Sequence, residues 1–569
     1  MTKKVVIKMA EKVMRVLYNS GVFLLVLIAF LLIITNLFWI FHLSLLKVSL
    51  FFSFIGGIFI LFKILSGNKK EKFISLFIGL FIFVLSILVS GYIYDQSDDG
   101  NTYHKETISM MKQGWNPIYD DYKDFAIEND FTYNHELWAE HYPKTSWIIG
   151  SSIYDITGNI ETGKCYNLLF MYITFVIMSY TLVKIFNKLV FSFIFSLVTI
   201  VNPVMISQVF SFYVDGFLGL LLFMIILYMF LFVDKIKNVK DFRIVKIILF
   251  ALIIIISNIK FTGLAYAGLF CLGYYVYYVI KELKNKNREV IVRNTLFFVV
   301  VVFVSVFIVG SSSYLKNTID HGNPFYPLAG KDKVDIMTYL QPESFGNMSP
   351  IEKNFYSIFS KTANIGMFNN GEPVLKIPFT YDSYELEQIG YDTRIGGYGV
   401  YFSGIFILSI ISIFIFAFLL IKEDKNMFIL YIIPIIITIL LLLFLSDGWW
   451  ARYAPYLYLF VLSSLIPFTN CKNIVLKIIF GIYILIILFN SMLCFKIFYY
   501  NDLPLSGFSR MEINKINNQK IKVYLVEDRF TGVLSNLRDN NIKYYIVDEK
   551  DDNMKPLYGN YAYYSIIKN

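Results

Sequence analysis

The chain has 569 residues, of which 57% are hydrophobic and 18% aromatic, while only 16% are charged. Soluble domains carry about 25% charged residues. Here the apolar residues recur in runs of ~20, the length that crosses a bilayer as a helix, so a soluble globular fold is excluded. The net charge of +9, from 51 basic and 42 acidic residues, then reads as membrane orientation signal rather than as a nucleic-acid footprint. Taken in order, the apolar runs predict spans at roughly 21–41, 46–65, 72–93, 165–186, 188–201, 215–233, 244–257, 263–281, 295–312, 400–421, 427–446, 455–468 and 474–494, about thirteen in all. The run from Gly21 to Ile40 is long and further spans follow it, so it reads as a retained anchor and not a cleaved signal. The fold class expected is an α-helical polytopic membrane protein.

The third span runs into a polar stretch, Gly91 to Lys144, which begins GYIYDQSDDGNTYHKETISMMKQGWNP. Long connections are expected at 94–164 and 313–399. Past residue 495 the tail changes character. IKVYLVEDR (521–529) alternates like a strand, FTGVLSNLRDNN (530–541) has helical spacing, and IKYYIVDE (542–549) reads as a second strand. Strand, helix, strand predicts a small α/β domain over 495–569. At ~70 residues its own core is thin, so it is expected to dock on the membrane part, 1–494. The four cysteines (Cys165, Cys271, Cys471 and Cys494) lie in or beside apolar runs without paired spacing, which points to neither disulfides nor a metal site.

Basic residues orient the spans. Lys3, Lys4, Lys8, Lys12 and Arg15 precede the first; Lys69, Lys70 and Lys72 lie between the second and third. Later clusters hold Lys184 and Lys188, then Lys235, Lys237, Lys240, Arg243 and Lys246, then Lys281, Lys284, Lys286, Arg288 and Arg293, and last Lys422 and Lys425. All fall on one side, which the positive-inside rule makes cytoplasmic. The other side receives 94–164, NPVMISQVFSFYVDG (202–216), SNIKFTG (257–263), 313–399, SDGWWARYAP (446–455) and the tail. Every unusual polar cluster is thus expected to face the extracytoplasmic compartment.

Asp95, Asp98 and Asp99 sit just past a span, where acidic residues are also common in plain solvated loops. Adjacent carboxylates suit a hard divalent cation such as Mg or Mn. The five histidines (His42, His104, His135, His141 and His321) show no zinc-ligand spacing. Asp215 opens a span, where a carboxylate favours the helix N-terminus; a structural role is expected for it.

Six pieces in order, DGNTYH (99–104), HYP (141–143) followed by Lys144, NP…Q…YVDG (202–216), NIKFTG (258–263), GNPFYPL (322–328) and WWARYAP (449–455), resemble the GT-C superfamily of bacterial membrane glycosyltransferases. The resemblance covers about 92–455. It implies a GT-C-like helical fold in the bacterial cytoplasmic membrane. It also implies an inverting transfer of a sugar from a polyprenyl-phosphate donor to a glycan, lipid or protein acceptor on the outer face. Asp99 is then the expected general base, with Asp98 as the alternative, as its partner, or with Asp99 as a metal ligand; metal use is left open. The chemistry is coherent: a polyprenyl phosphate leaves readily, so one carboxylate to take the acceptor's proton suffices. A glycoside hydrolase needs two carboxyls, one of them protonated.

Cations for the donor phosphate are sought in Arg452, Lys260, Arg394 and Lys144. An unpaired cation at mid-bilayer costs at least ~2.5–3.5 kcal/mol, so Lys260 and Arg452, in short connections between apolar runs, are expected to face a partner or water, or to snorkel. Trp449 and Trp450 would hold Arg452 at headgroup depth. Tyr103, His104 and His141 are assigned to orienting the acceptor, against the plainer alternative of bonds within the loop, and GNPFYPL to a lid. Two rivals stand: a lipid-linked glycan polymerase or ligase, and a transporter or flippase of lipid-linked sugars.

Overall fold

Each apolar run forms a helix in the computed structural model, which describes residues 3–234, 239–335, 338–364, 371–470, 473–559 and 561–567; Lys235, Lys237 and Cys471 lie outside the described residues. Among these, ten helices are long and apolar enough to cross a membrane, from Met9–Ile40, Leu46–Lys63 and Lys69–Tyr92 through to Ile474–Lys515. Three of the thirteen expected crossings fall short. Leu189–Ile200 and Pro455–Thr469 are shorter apolar helices. Val239–Ser257 spends its first two turns on Lys240, Asp241, Arg243 and Lys246, which leaves fewer than the ~20 apolar residues a full span needs. The chain is a multi-pass helical membrane protein with a small C-terminal sheet.

Polar caps start the helices where the apolar runs begin. Asn68 accepts from the Glu71 amide, Asp424 from those of Asn426 and Met427, and Asn202 from that of Met205 with Pro203 in the first turn. Asn202 and Pro203 thereby re-aim the chain into the short helix Pro203–Gln208. The first helix and Asp215–Val233 lie at the centre, with Val22 to Leu32 nearly all buried. Phe23 lodges between two other helices because each offers a glycine: a Cβ on Gly57 or Gly79 would stand 3.0 or 2.9 Å from its ring. The outer helices turn Phe51, Phe77, Leu88, Phe414, Phe418 and Leu485 outward, 62–72% exposed. So wide an apolar belt on a folded surface fits lipid.

The two ends of the bundle differ. The basic clusters meet at one, where Arg15 pairs with Glu71 (2.7 Å), Lys184 with Glu11 (2.5 Å), and Lys281 donates to the Val233 carbonyl (3.2 Å). At the other end, residues 94–164 are not an open loop. They fold into a π-turn at Gly100–His104, the helices Lys105–Lys112, Tyr122–Glu128, Glu136–His141 and Thr145–Thr157, and a 3-10 turn at Ile160–Lys164. Most of this segment is buried.

The C-terminal unit holds the predicted strand–helix–strand: β1 (Lys520–Leu525), helix Val533–Asp539 and β2 (Lys543–Ile546), with β1 and β2 parallel. Two strands not anticipated, β3 (Lys555–Tyr558) and β4 (Ala562–Ile566), complete the order β2-β1-β4-β3. Ile521, Val523 and Leu525 point inward and Lys520 and Lys522 outward, the period-two pattern of a sheet with one buried face. The unit docks on 94–164: Tyr558 Oη donates to the Asp95 carbonyl (2.8 Å), Tyr561 Oη to that of Gln96 (2.8 Å), and the Ile160 amide to Asp539 Oδ2 (2.7 Å).

Candidate functional site

Asp98 and Asp99 open the helical turn that follows the extended residues 94–97, and that turn is pinned by Asp95. Asp95 Oδ1 accepts from the Ser97 amide (2.8 Å), and Oδ2 from Ser97 Oγ (2.9 Å) and the Phe212 amide (3.2 Å). Position 100 must be glycine, since a Cβ there would lie 1.7 Å from Asp95 Oδ2. Asp95 therefore braces the turn, and the carboxylates after it point elsewhere.

They point into a cavity of about 730 Å³, lined among others by Asp98, Asp99, Tyr103, Lys260, Arg394 and Arg452. That volume suits a small-molecule ligand, which pockets of ~300–1,000 Å³ accommodate. Arg452 is the hub. Its Nη1 lies 3.0 Å from Asp99 Oδ2 and 3.2 Å from Asp392 Oδ1, and Nη2 donates to Tyr453 Oη (2.9 Å). Its guanidinium stands over the rings of Trp450 (4.6 Å), Tyr213 (4.7 Å) and Tyr453 (4.9 Å), a cage whose ring faces attract the buried cation and offset part of its lost hydration. Tyr213 Oη donates to Asp392 Oδ1 (2.6 Å), and Arg394 Nη2 is 3.6 Å from Asp392 Oδ2. Lys260 immediately precedes its span, stands over the Tyr453 ring (4.5 Å), and pairs with Asp215 Oδ1 (2.5 Å). Asp98 pairs with Arg529 of the C-terminal domain.

Burial raises Asp99 above the ordinary carboxylate range, Arg452 opposes this, and Asp392 adds to it. Asp98 is pushed up to about 7, again by burial first, with Arg529 opposing and Asp99 adding. Burial lowers Lys260, and Asp215 partly restores it.

Of the nine residues singled out from the sequence, six converge on this cavity: Asp98, Asp99, Tyr103, Lys260, Arg394 and Arg452. Three do not line it. His104 is buried, its Nδ1 accepts from Trp147 Nε1 (2.6 Å), and burial lowers it to about 3, so it is a neutral packing residue. His141 Nδ1 bonds Asn317 Oδ1 (2.9 Å) and its ring meets His321 and Tyr326 edge-on. Lys144 turns inward and donates to the carbonyls of Glu140 (2.8 Å) and Tyr142 (2.5 Å), tying off the helix Glu136–His141. Its hydrogen bonds go to orphan helix-end carbonyls. Asp215 starts its helix as expected, with its carboxylate on Lys260 and no cap bond. From GNPFYPL, Leu328 reaches the cavity wall.

Sequence reasoning missed Asp392 and Arg529. Asp392 was readable only as the neighbour of Arg394 in YDTR (391–394). Arg529 closes a predicted strand in a separate domain, and nothing local marks it.

Asp98 and Asp99 face two different guanidinium groups, Arg529 and Arg452. Among the described residues no group of three or more His, Cys, Asp or Glu is placed to hold a metal ion. A hard divalent cation collects six or more oxygens, so two carboxylates already paired to arginines do not fit a resident Mg or Mn.

The fold and site together define a polytopic helical membrane protein with a charged, aromatic-walled cavity at the end of the bundle opposite its basic clusters. Compared with known proteins, the sequence matches no family model and no curated protein.

Proposed function

We propose that the protein is an inverting glycosyltransferase that moves a sugar from a polyprenyl phosphate to an acceptor hydroxyl at the outer face of the cytoplasmic membrane. The observation that carries this reading is that Asp99, Arg452 and Lys260, from three distant connections, share one cavity beside an apolar bundle. The outward orientation rests on the positive-inside rule. In the reaction the acceptor oxygen attacks the anomeric carbon and Asp99 takes its proton. The bond from that carbon to the phosphate oxygen breaks, its electron pair stays on the phosphate, and the configuration inverts. Arg452 and Lys260 stabilise the charge that develops on the phosphate. A bound phosphate would also compete with Asp99 for Arg452, which makes Asp99 more basic only when donor is present. A flippase would set polar groups along a path through the membrane, whereas this cavity is walled by connections and by span ends such as Phe261, Tyr266 and Leu445.

Purified protein incubated with a short-chain polyprenyl-phosphate sugar and acceptor glycan, lipid or protein fractions is expected to release polyprenyl phosphate. No release with any of them overturns the proposal. Lys260→Met combined with Asp215→Asn removes one charge pair without leaving either partner buried alone. The lost charge-assisted bond of ~1.5–3 kcal/mol should lower kcat/KM about tenfold to a hundredfold, with expression unchanged. Steady-state kinetics at varied donor concentration reads this out.

A further inference from the structure

One wall of the cavity comes from outside the membrane part. Arg529 leaves the C-terminal domain just after the turn Val526–Asp528 and pairs with Asp98. That turn holds two consecutive non-glycine residues in the left-handed region, Glu527 (φ 55°) and Asp528 (φ 50°). Such a conformation persists only where the surroundings over-determine it, and it clusters at functional sites. Here the surroundings are the first large segment. Asn134 Nδ2 donates to the Asp528 carbonyl (2.6 Å), and His135 Nε2 lies 2.7 Å from the Arg529 carbonyl. A carbonyl only accepts, so that nitrogen carries the proton, and burial, which lowers His135 to about 4, keeps the ring neutral. Just beyond, Thr531 Oγ1 donates to the Thr102 carbonyl (3.2 Å) and the Gly532 amide to that of Asn101 (2.8 Å).

We propose that Arg529 is a positioning residue contributed by the C-terminal domain, which fixes Asp98 in the cavity wall beside Asp99, so that the site is complete only while the domain is seated. Asp98 otherwise faces Asp99, Asp392 and Tyr561, with Arg452 as a cation already shared by Asp99 and Asp392. The fixed pair sets an acceptor and a donor of hydrogen bonds side by side next to the proposed base, an arrangement that suits a hydroxyl-bearing acceptor. That consequence rests on the transferase reading; the placement of Asp98 by Arg529 does not.

The test needs no turnover. Full-length protein in detergent is labelled with a water-soluble carbodiimide and glycine ethyl ester across a pH series, and Asp98 is followed by peptide mass spectrometry. In Arg529→Gln the midpoint of Asp98 labelling should move up by at least about one pH unit, the effect of removing an adjacent opposite charge. Arg529→Lys should keep it near the wild type. Protection of Asp539, bonded to the Ile160 amide across the docked interface, reports that the domain is seated. An unmoved midpoint in Arg529→Gln overturns the proposal, as does an Arg529→Lys profile equal to that of Arg529→Gln. A wild type that labels as expected but releases no polyprenyl phosphate would sink the transferase reading and leave the role of Arg529 standing.

Discussion

Asp99→Asn is expected to lower sugar transfer by about 10²–10⁴-fold, the usual contribution of a positioned general base, while the protein expresses and elutes as the wild type does. The asymmetry follows from the hub. Asparagine keeps the shape of aspartate, and Arg452 keeps Asp392 at 3.2 Å and its aromatic cage, so no buried cation is abandoned. What disappears is the one atom that accepts the acceptor's proton. Release of polyprenyl phosphate, measured on protein normalised by its elution peak, decides the matter. An Asp99→Asn protein with full activity removes Asp99 from the role, and Asp392, on the same guanidinium, becomes the next carboxylate to substitute.

The pH profile carries the same information with a definite sign. Burial, reinforced by Asp392 and opposed by Arg452, raises Asp99 above the ordinary carboxylate range. Only the ionised form accepts a proton, so transfer should rise with pH through that elevated midpoint. Stability runs the other way. A carboxylate whose folded pKa lies above its unfolded value binds its proton more tightly in the fold. Asp98, raised to about 7, therefore weakens the fold progressively as pH climbs from about 4 toward 7. Stability should fall across that window in a melting-temperature series, while transfer rises through the raised midpoint of Asp99.

The spans were legible because a bilayer imposes a length and a composition that the sequence carries locally. So was the gathering of Asp99, Lys260 and Arg452, since charge at a span end needs a reason. Other features depend on partners far along the chain. The helices within 94–164 are 6–13 residues long, too short to be stable alone, and they exist because they pack on one another, on the first two spans and, for Lys105–Lys112, under the C-terminal domain. Lys144 and His141 stand in a matched piece, yet their side chains turn inward to Glu140, Tyr142 and Asn317. Asp392 and Arg529 reach the cavity from segments whose own patterns describe a loop and a strand end. β3 and β4 were hidden by Pro556 and Gly559, which read as turn formers.

Glu161→Gln is expected to unseat the C-terminal domain, because the joint there is a buried ionic knot. Glu161, Lys105 and Lys164 are each wholly inaccessible. Lys105 Nζ lies 2.6 Å from Glu161 Oε1, with Asn101 Oδ1 (2.9 Å), Tyr558 Oη (2.9 Å) and Asn536 Oδ1 (3.1 Å) also around it as acceptors for its remaining two protons. Lys164 pairs with the other carboxylate oxygen and donates to the Ile93 carbonyl (2.6 Å). From the C-terminal domain, Asn536 Nδ2 donates to Glu161 Oε1 (2.9 Å), and Tyr558 Oη, whose proton goes to the Asp95 carbonyl, lies 3.1 Å from it. One carboxylate thus joins the end of the third span, the start of the fourth and the domain that delivers Arg529. Removing one partner of a buried pair costs about 3–5 kcal/mol, because the remaining charge has no water to turn to; here two lysines would remain. The expected result is a lower melting temperature and new protease cleavage near 516–519, where the helix Leu503–Lys515 hands over to β1. The half-exposed pair Lys184–Glu11 supplies the contrast, since Glu11→Gln should change stability by no more than ~1 kcal/mol. If Glu161→Gln melts with Glu11→Gln and resists protease, the domain is held by its apolar contacts, and Arg529 would keep its place without the knot.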